Sequence, residues 1–184
     1  MNLRASRLVV ILATSIAVGV AMANDEEVKG PRILRKEVVV RASVGDVWHA
    51  WTTAEGLKFI SAQSNVELRI GGPYEWFLDL PADADGKRGG QGARVLAFLP
   101  MEMLAFTWTF PPAVPSLRHA GATTQAVVLF DDLGDGTVRV RFAQHGWGDG
   151  ADWDAGWAYF DAAWSKVLER LKAHFEGGEP TARR

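Results

Sequence analysis

The feature that most constrains this fold is an aromatic stripe near the C-terminus. Between residues 152 and 175, large apolar side chains recur at spacings of three and four, which predicts one face of a long α-helix. The stripe consists of Trp153, Trp157, Phe160, Trp164, Val167, Leu168, Leu171 and Phe175. Asp152 is expected to cap the helix. A face this wide and bulky needs a large concave partner, and a curved β-sheet provides one.

The residues before this helix predict that sheet. Residues 33–42 predict a first strand, Ser43 begins a helix with an apolar face, and residues 57–60 predict a second, short helix. Alternating apolar side chains then predict strands at 66–70, 74–78, 93–99, 103–110, 123–133 and 137–145. The intervening residues 81–92 and 111–121 are expected to be irregular loops. Short connections imply antiparallel pairing, so the chain predicts one α+β domain with its sheet curled around the C-terminal helix.

The N-terminus has the form of a secretory signal peptide. Arg4 and Arg7 precede an apolar run of 16 residues, 8–23, which ends Ala21-Met22-Ala23. A basic region, a short apolar region and an A-x-A end predict cleavage after Ala23 and an exported protein, periplasmic or secreted. An uncleaved anchor is the alternative, but the run is short for a membrane span.

The predicted division of the chain follows from these signals. We expect a signal peptide at 1–23, a flexible leader at 24–32, the folded domain at 33–176 and a disordered tail at 177–184.

Charge and cysteine content exclude several classes of function. The chain has 20 Lys and Arg against 22 Asp and Glu. Loss of the two leader arginines leaves 18 against 22, a net charge of −4. A mildly acidic chain without basic clusters argues against nucleic acid as a partner and against stable membrane association after cleavage. Absence of cysteine excludes disulfides, thiolate nucleophiles and cysteine–metal sites.

Five short motifs together resemble a known family. They are the helix Val47–Thr52 (VW-x-A-(L/W)-T), the turn Leu68–Gly72 (L-R-x-G-G), the strand Pro100–Trp108 (P-x-x-x-L-x-(F/Y)-x-W), the hairpin Gly134–His145 and the pair Gly156-Trp157. In this order they resemble the activator of heat shock protein ATPase homologues of the START-like (SRPBCC) superfamily. The resemblance implies a helix-grip fold, with about six to seven strands around a long helix. The named chaperone partner is cytosolic, so an exported chain would not meet it.

No catalytic or metal-binding motif is present in the sequence. The four histidines, His49, His119, His145 and His174, lack metal-ligand spacing. The chain has no nucleophile elbow and no Walker-type phosphate loop. We therefore predict no catalytic residue, no metal and no cofactor.

The aromatic residues give the positive indication of function. Placed on the sheet and the helix, they line the region where the START-like fold usually has a cavity, although a solid core is the alternative. The predicted ligand-binding residues are Tyr74, Trp76, Phe98, Phe106, Trp108, Phe142, His145, Trp157, Phe160 and Trp164. Polar contacts to a ligand are expected from Gln125, Gln144, His145 and Asp161.

The sequence is compatible with three functions. The first is binding of a small apolar or aromatic molecule without catalysis. The second is a cyclase- or hydrolase-type enzyme that uses His145 with Asp161 or Gln144. The third is a protein-interaction or chaperone-assisting module, which needs an exposed apolar patch.

Overall fold

A computed structural model of the chain describes residues 31–78, 86 and 88–177. The predicted signal peptide, most of the predicted leader and nearly all of the predicted tail lie outside the described residues. The elements are β1 (Leu34–Arg41), α1 (Val44–Thr52), a 3-10 turn (Gly56–Phe59), β2 (Ser64–Val66), β3 (Tyr74–Trp76), β4 (Val95–Leu99), β5 (Met103–Thr109), α2 (Pro115–His119), β6 (Thr123–Asp132), β7 (Thr137–His145) and α3 (Ala151–Glu176). The predicted α+β fold with a long C-terminal helix is confirmed.

The strands form two antiparallel groups among the described residues. Five of them make a sheet in the order β1-β7-β6-β5-β4, and β2 pairs with β3. The two groups are joined by an isolated bridge between Pro73 and Arg94, and by a hydrogen bond of 2.9 Å from the Tyr74 N–H to the Ala93 carbonyl. The expected six to seven strands are therefore present, but as five plus two.

The five-stranded sheet has one apolar face and one polar face because side chains alternate along each strand. In β7, Val138, Val140, Phe142 and Gln144 are buried, while the residues between them are exposed or half-buried. The pairing register extends this buried face onto the neighbouring strands. On this face the Phe142 ring contacts Trp164 of α3. The inner face of the sheet is thus the surface on which α3 packs.

The long helix begins slightly earlier than predicted. It starts at Ala151, and Gly150, with φ of 106°, occupies the cap position, so the expectation that Asp152 caps the helix is wrong. Asp152 and Asp154 lie in the first turn instead, where carboxylates favour the positive helix end. One turn further on, a Cβ on Gly156 would lie 2.7 Å from Cε1 of Phe110, so only glycine permits this close packing.

Two local predictions are wrong. The strand expected at 66–70 ends at Val66, and the next residues turn through hydrogen bonds from Arg69 N–H to Glu67 O and from Gly72 N–H to Arg69 O. Ile70 is consequently 73% exposed despite its place in the alternating pattern. The loop expected at 111–121 contains α2, because Pro115 occupies the first turn and Leu117 is buried.

The turn between β4 and β5 contains a strained residue. The Glu102 N–H donates to the Leu99 carbonyl at 3.0 Å, and Met101 has φ of 63°. Proline at the second position and a positive φ at the third are the features of a type II turn, whose third position favours glycine.

Met101→Gly is expected to raise the free energy of unfolding by about 0.5 to 1 kcal/mol, because it removes the left-handed strain of a side-chain-bearing residue. The measurement is urea denaturation of the two proteins. Met103→Gly, in the adjacent strand β5, serves as the control and is expected to destabilise the domain. A lower stability for Met101→Gly would contradict the assignment of strain.

Candidate ligand-binding groove

The aromatic stripe of α3 contacts the sheet directly. The Trp164 ring lies 4.0 Å from the Phe142 ring, centroid to centroid, at an interplanar angle of 32°. Trp164 also lies 5.3 Å from Trp108 and 5.9 Å from Trp76, and these last two rings are 4.9 Å apart. All four side chains are buried. Offset and edge-on arrangements of this kind add to the stabilisation that burial itself provides.

A buried chain of hydrogen bonds fixes this contact. The Trp164 indole Nε1–H donates to Gln144 Oε1 at 2.7 Å, and the Gln144 amide donates to Thr124 Oγ1 at 2.7 Å. The Thr124 hydroxyl then donates to the Trp108 carbonyl at 3.3 Å. An indole N–H is a donor only, so it sets the orientation of the amide and the direction of the whole chain. Gln144, predicted to contact a ligand, is engaged at both ends by the core.

A groove of about 470 Å³ runs along one flank of α3. Its helical wall is formed by Tyr159, Phe160, Ala162, Ala163, Trp164, Lys166, Val167 and Arg170. The facing wall is formed by Ile60, Trp76, Leu78, Gly89, Trp108, Thr109 and Pro111. The volume is within the usual range for small-molecule sites, which are concave, mostly apolar and supplied with a few polar groups.

Small residues on both walls keep the groove open. Ala162 and Ala163 stand beside the bulky stripe, so the helix is recessed there. On the facing wall the chain passes close to Trp108, since a Cβ on Gly90 would lie only 2.8 Å from the indole Cη2. The Thr109 hydroxyl lies 3.3 Å from the Gln91 carbonyl and 3.4 Å from the Gly89 carbonyl, and by donating to one of them it ties this segment to β5.

The charged side chains among the described lining residues lie on the helix. The side chains of Lys166 and Arg170 are exposed at the rim, and neither has an ion-pair partner within the described part of the chain. Tyr159 is half-buried, and burial raises the pKa of its phenol. None of the described lining residues is acidic. The groove therefore combines aromatic walls with a cationic rim.

Four of the ten predicted ligand-binding residues line this groove, namely Trp76, Trp108, Phe160 and Trp164. Three others lie in the core: Phe142 beneath Trp164, and Tyr74 against Phe106 at 4.5 Å. Burial raises the pKa of the Tyr74 phenol well above its ordinary value, the neighbouring Trp76 offsets part of the rise, and the hydroxyl donates to the Trp51 carbonyl at 2.6 Å.

The remaining three predicted residues lie away from the groove. Phe98 is half-buried opposite Leu104 in the β4–β5 pair. Trp157 lies near the start of α3, where Arg32 is 4.1 Å above its ring and also contacts Asp154. His145 follows Gln144 in β7 and therefore points to the outer face of the sheet.

The structure does not bring the suggested catalytic groups together. His145 pairs with Gln125 in the β6–β7 register, both on the outer face, whereas Gln144 is on the inner face. Asp161, on α3, is bonded to Lys36 at 2.7 Å. Among residues 31–78, 86 and 88–177, no cluster of three or more His, Asp and Glu could hold a metal ion. No helix in the same ranges is long and apolar enough to cross a membrane.

A second row of groove-lining residues on α3, beside the aromatic stripe, was not predicted from the sequence. Tyr159, Ala163, Lys166 and Arg170 recur at spacings of three and four beside the aromatic stripe, which places them on a common face. Since this row mixes small and charged side chains, the apolar pattern did not select it. Its helical spacing was the available indication.

Comparisons with known proteins agree with this architecture. A family model described as Activator of Hsp90 ATPase homolog 1-like protein matches residues 41–176. No curated protein matches the sequence significantly.

Solved structures extend the agreement to the fold. A crystal structure of a Mesorhizobium loti protein is 16% identical, with a TM-score of 0.61, and the match covers 80% of this chain and 99% of that one. The solution structure of the Aha1 dimer from Colwellia psychrerythraea is 19% identical, with a TM-score of 0.56 and coverages of 79% and 96%. An AHSA1-like protein from Rhizobium etli is 20% identical, with a TM-score of 0.54 and coverages of 83% and 89%. At these identities the likeness shows the shared helix-grip fold.

The buried hydrogen-bond chain gives a stability test. Thr124→Val keeps the shape of the side chain but leaves the Gln144 amide without its acceptor, so we expect a loss of about 1 to 3 kcal/mol in the free energy of unfolding. Thr123→Val, on the exposed face of the same strand, is the matched control and is expected to change it by less than about 0.5 kcal/mol. Equal effects in chemical denaturation would show that the Thr124 hydroxyl is not needed.

Proposed function

This chain belongs to the Activator of Hsp90 ATPase homolog 1-like family, and within it we propose an exported START-like protein that binds a small hydrophobic or aromatic molecule in the groove beside α3. The observation that carries the proposal is the groove itself. Its accessible apolar surface comes from half-buried or exposed lining residues, namely Ile60, Leu78, Tyr159, Ala162 and Ala163, which lie over the buried rings of three tryptophans and Phe160. Its volume of about 470 Å³ suits a small molecule.

The distribution of buried polar groups supports binding over catalysis. The polar side chains deepest in the domain, Gln144 and Thr124, are used to attach the helix to the sheet. No acid or histidine is among the described lining residues, so the described lining lacks the residue types that most often act as a general base. What the groove offers a ligand is apolar burial and a few hydrogen-bond donors.

The proposed ligand enters a preformed site. The hydrogen-bond chain holds Trp164, and the close approach of Gly90 holds Trp108, so both rings are fixed in place without a ligand. Pre-organised aromatic walls reduce the entropy lost on binding.

Filling the groove tests the proposal. Naphthalene-2-carboxamide, a neutral aromatic probe, is expected to bind the unaltered protein in isothermal titration calorimetry. Ala162→Phe puts a ring into the lined volume and is expected to weaken that binding by about tenfold or more. The matched control is Ala158→Phe, since Ala158 is exposed on the same helix and does not line the groove. Absence of probe binding, or equal affinity in both variants, would contradict the proposal.

Export is the second part of the proposed function, and it rests on the leader sequence. Processing after Ala23 requires small residues at positions 21 and 23. The protein isolated from the cell envelope or medium is expected to have an intact mass that begins at Asn24. Ala23→Arg should abolish this cleavage, whereas Met22→Leu, between the two small residues, should leave it unchanged. Retention of residues 1–23 on the unaltered protein would overturn this part.

A further inference from the structure

The charge of the groove indicates which molecules it selects. We propose that the ligand is an amphipathic carboxylate, whose apolar body lies against the tryptophans and whose acid group meets Lys166 and Arg170. This inference rests on the proposed binding function and adds to it a class of ligand.

The two cations are placed to act on one ligand group. They are four residues apart on α3, so they lie on the same face, about 6 Å apart along the helix axis. Both line the groove, on the same wall as Phe160 and Trp164. A carboxylate at this rim therefore lies within reach of both cations while its hydrocarbon part remains in the groove.

Three other cations near α3 have acidic partners, whereas Lys166 and Arg170 have none among the described residues. Lys36 is bonded to Asp161 at 2.7 Å, Arg32 contacts Asp154, and Lys172 lies 3.8 Å from Glu176. No such pair involves Lys166 or Arg170 in the part of the chain that the structure describes. Two positive charges without a described acidic partner, beside an apolar groove, favour an anionic occupant.

The donor chemistry favours a carboxylate in particular. An arginine guanidinium matches the two oxygens of a carboxylate, and lysine adds a compact positive charge. The Tyr159 phenol on the same wall is a further donor, because an ordinary phenol is protonated at neutral pH. Burial raises its pKa further. A cationic ligand would meet two like charges and no described lining carboxylate.

Three probes of equal shape separate this inference from the proposed function. Naphthalene-2-carboxylate, naphthalene-2-carboxamide and 2-naphthylmethylammonium have the same ring system and differ in charge. We expect the carboxylate to bind roughly tenfold more tightly than the amide, and the ammonium to bind most weakly. The preference should decrease with added salt because the cations are exposed.

A double variant, Lys166→Gln with Arg170→Gln, identifies the source of the preference. In this variant the ratio of the carboxylate affinity to the amide affinity is expected to fall to about one. Lys172→Gln is the matched control, because Lys172 is a cation of the same helix that does not line the groove, and it should preserve the preference.

The outcomes are distinguishable. If the amide binds in the groove and the carboxylate binds no better, the charge inference is overturned and the binding function stands. A carboxylate preference that survives the double variant also overturns the inference. If none of the probes binds, both proposals are overturned.

Discussion

The hydrogen bond from the Trp164 indole to the Gln144 side chain is the interaction on which the rest of the structure depends. The hydrophobic effect drives α3 onto the sheet, but apolar burial has no direction and tolerates sliding or rotation of a helix. The buried Gln144 amide has one partner on the helix and one in the sheet. Sliding or rotating the helix would leave these polar groups without hydrogen bonds in the core. Burial of the wide aromatic stripe provides the free energy that holds α3 on the sheet, and the hydrogen bond between Trp164 and Gln144 fixes the position of the helix.

The groove follows from that position. With Trp164 held against Phe142 and Gln144, the row of small and charged residues beside the stripe faces Trp76, Trp108 and Leu78 across an unfilled gap. The same interaction thus determines both the packed core and the adjoining space. The groove therefore lies along the flank of α3 that carries Tyr159, Ala163, Lys166 and Arg170.

The success of sequence reasoning varied with the kind of pattern involved. The period of the stripe made α3 predictable, since its eight large side chains leave few alternative structures. The position of His145 could also have been anticipated. Val138, Val140 and Phe142 point inward, so the odd-numbered residues of the same strand, including His145, point outward. The turn around Ile70 could not be foreseen from alternation alone, because local backbone hydrogen bonds and Gly71-Gly72 ended the strand. The groove was the hardest feature to predict, because small side chains such as Ala162 and Ala163 leave it open. In the sequence, an alanine beside a groove cannot be distinguished from an alanine on an ordinary exposed surface.

The cluster of tryptophans around the groove has a spectroscopic consequence. Trp76, Trp108 and Trp164 are separated by 4.9 to 5.9 Å, a range in which excited indoles exchange energy far faster than they emit. Light absorbed by any of the three is therefore shared, and the emission comes from whichever ring has the lowest excited state. Because these three of the eight tryptophans line the groove, their share of the intrinsic fluorescence is an optical property of the site, and an occupant that quenches one of the three indoles also lowers the emission of the other two.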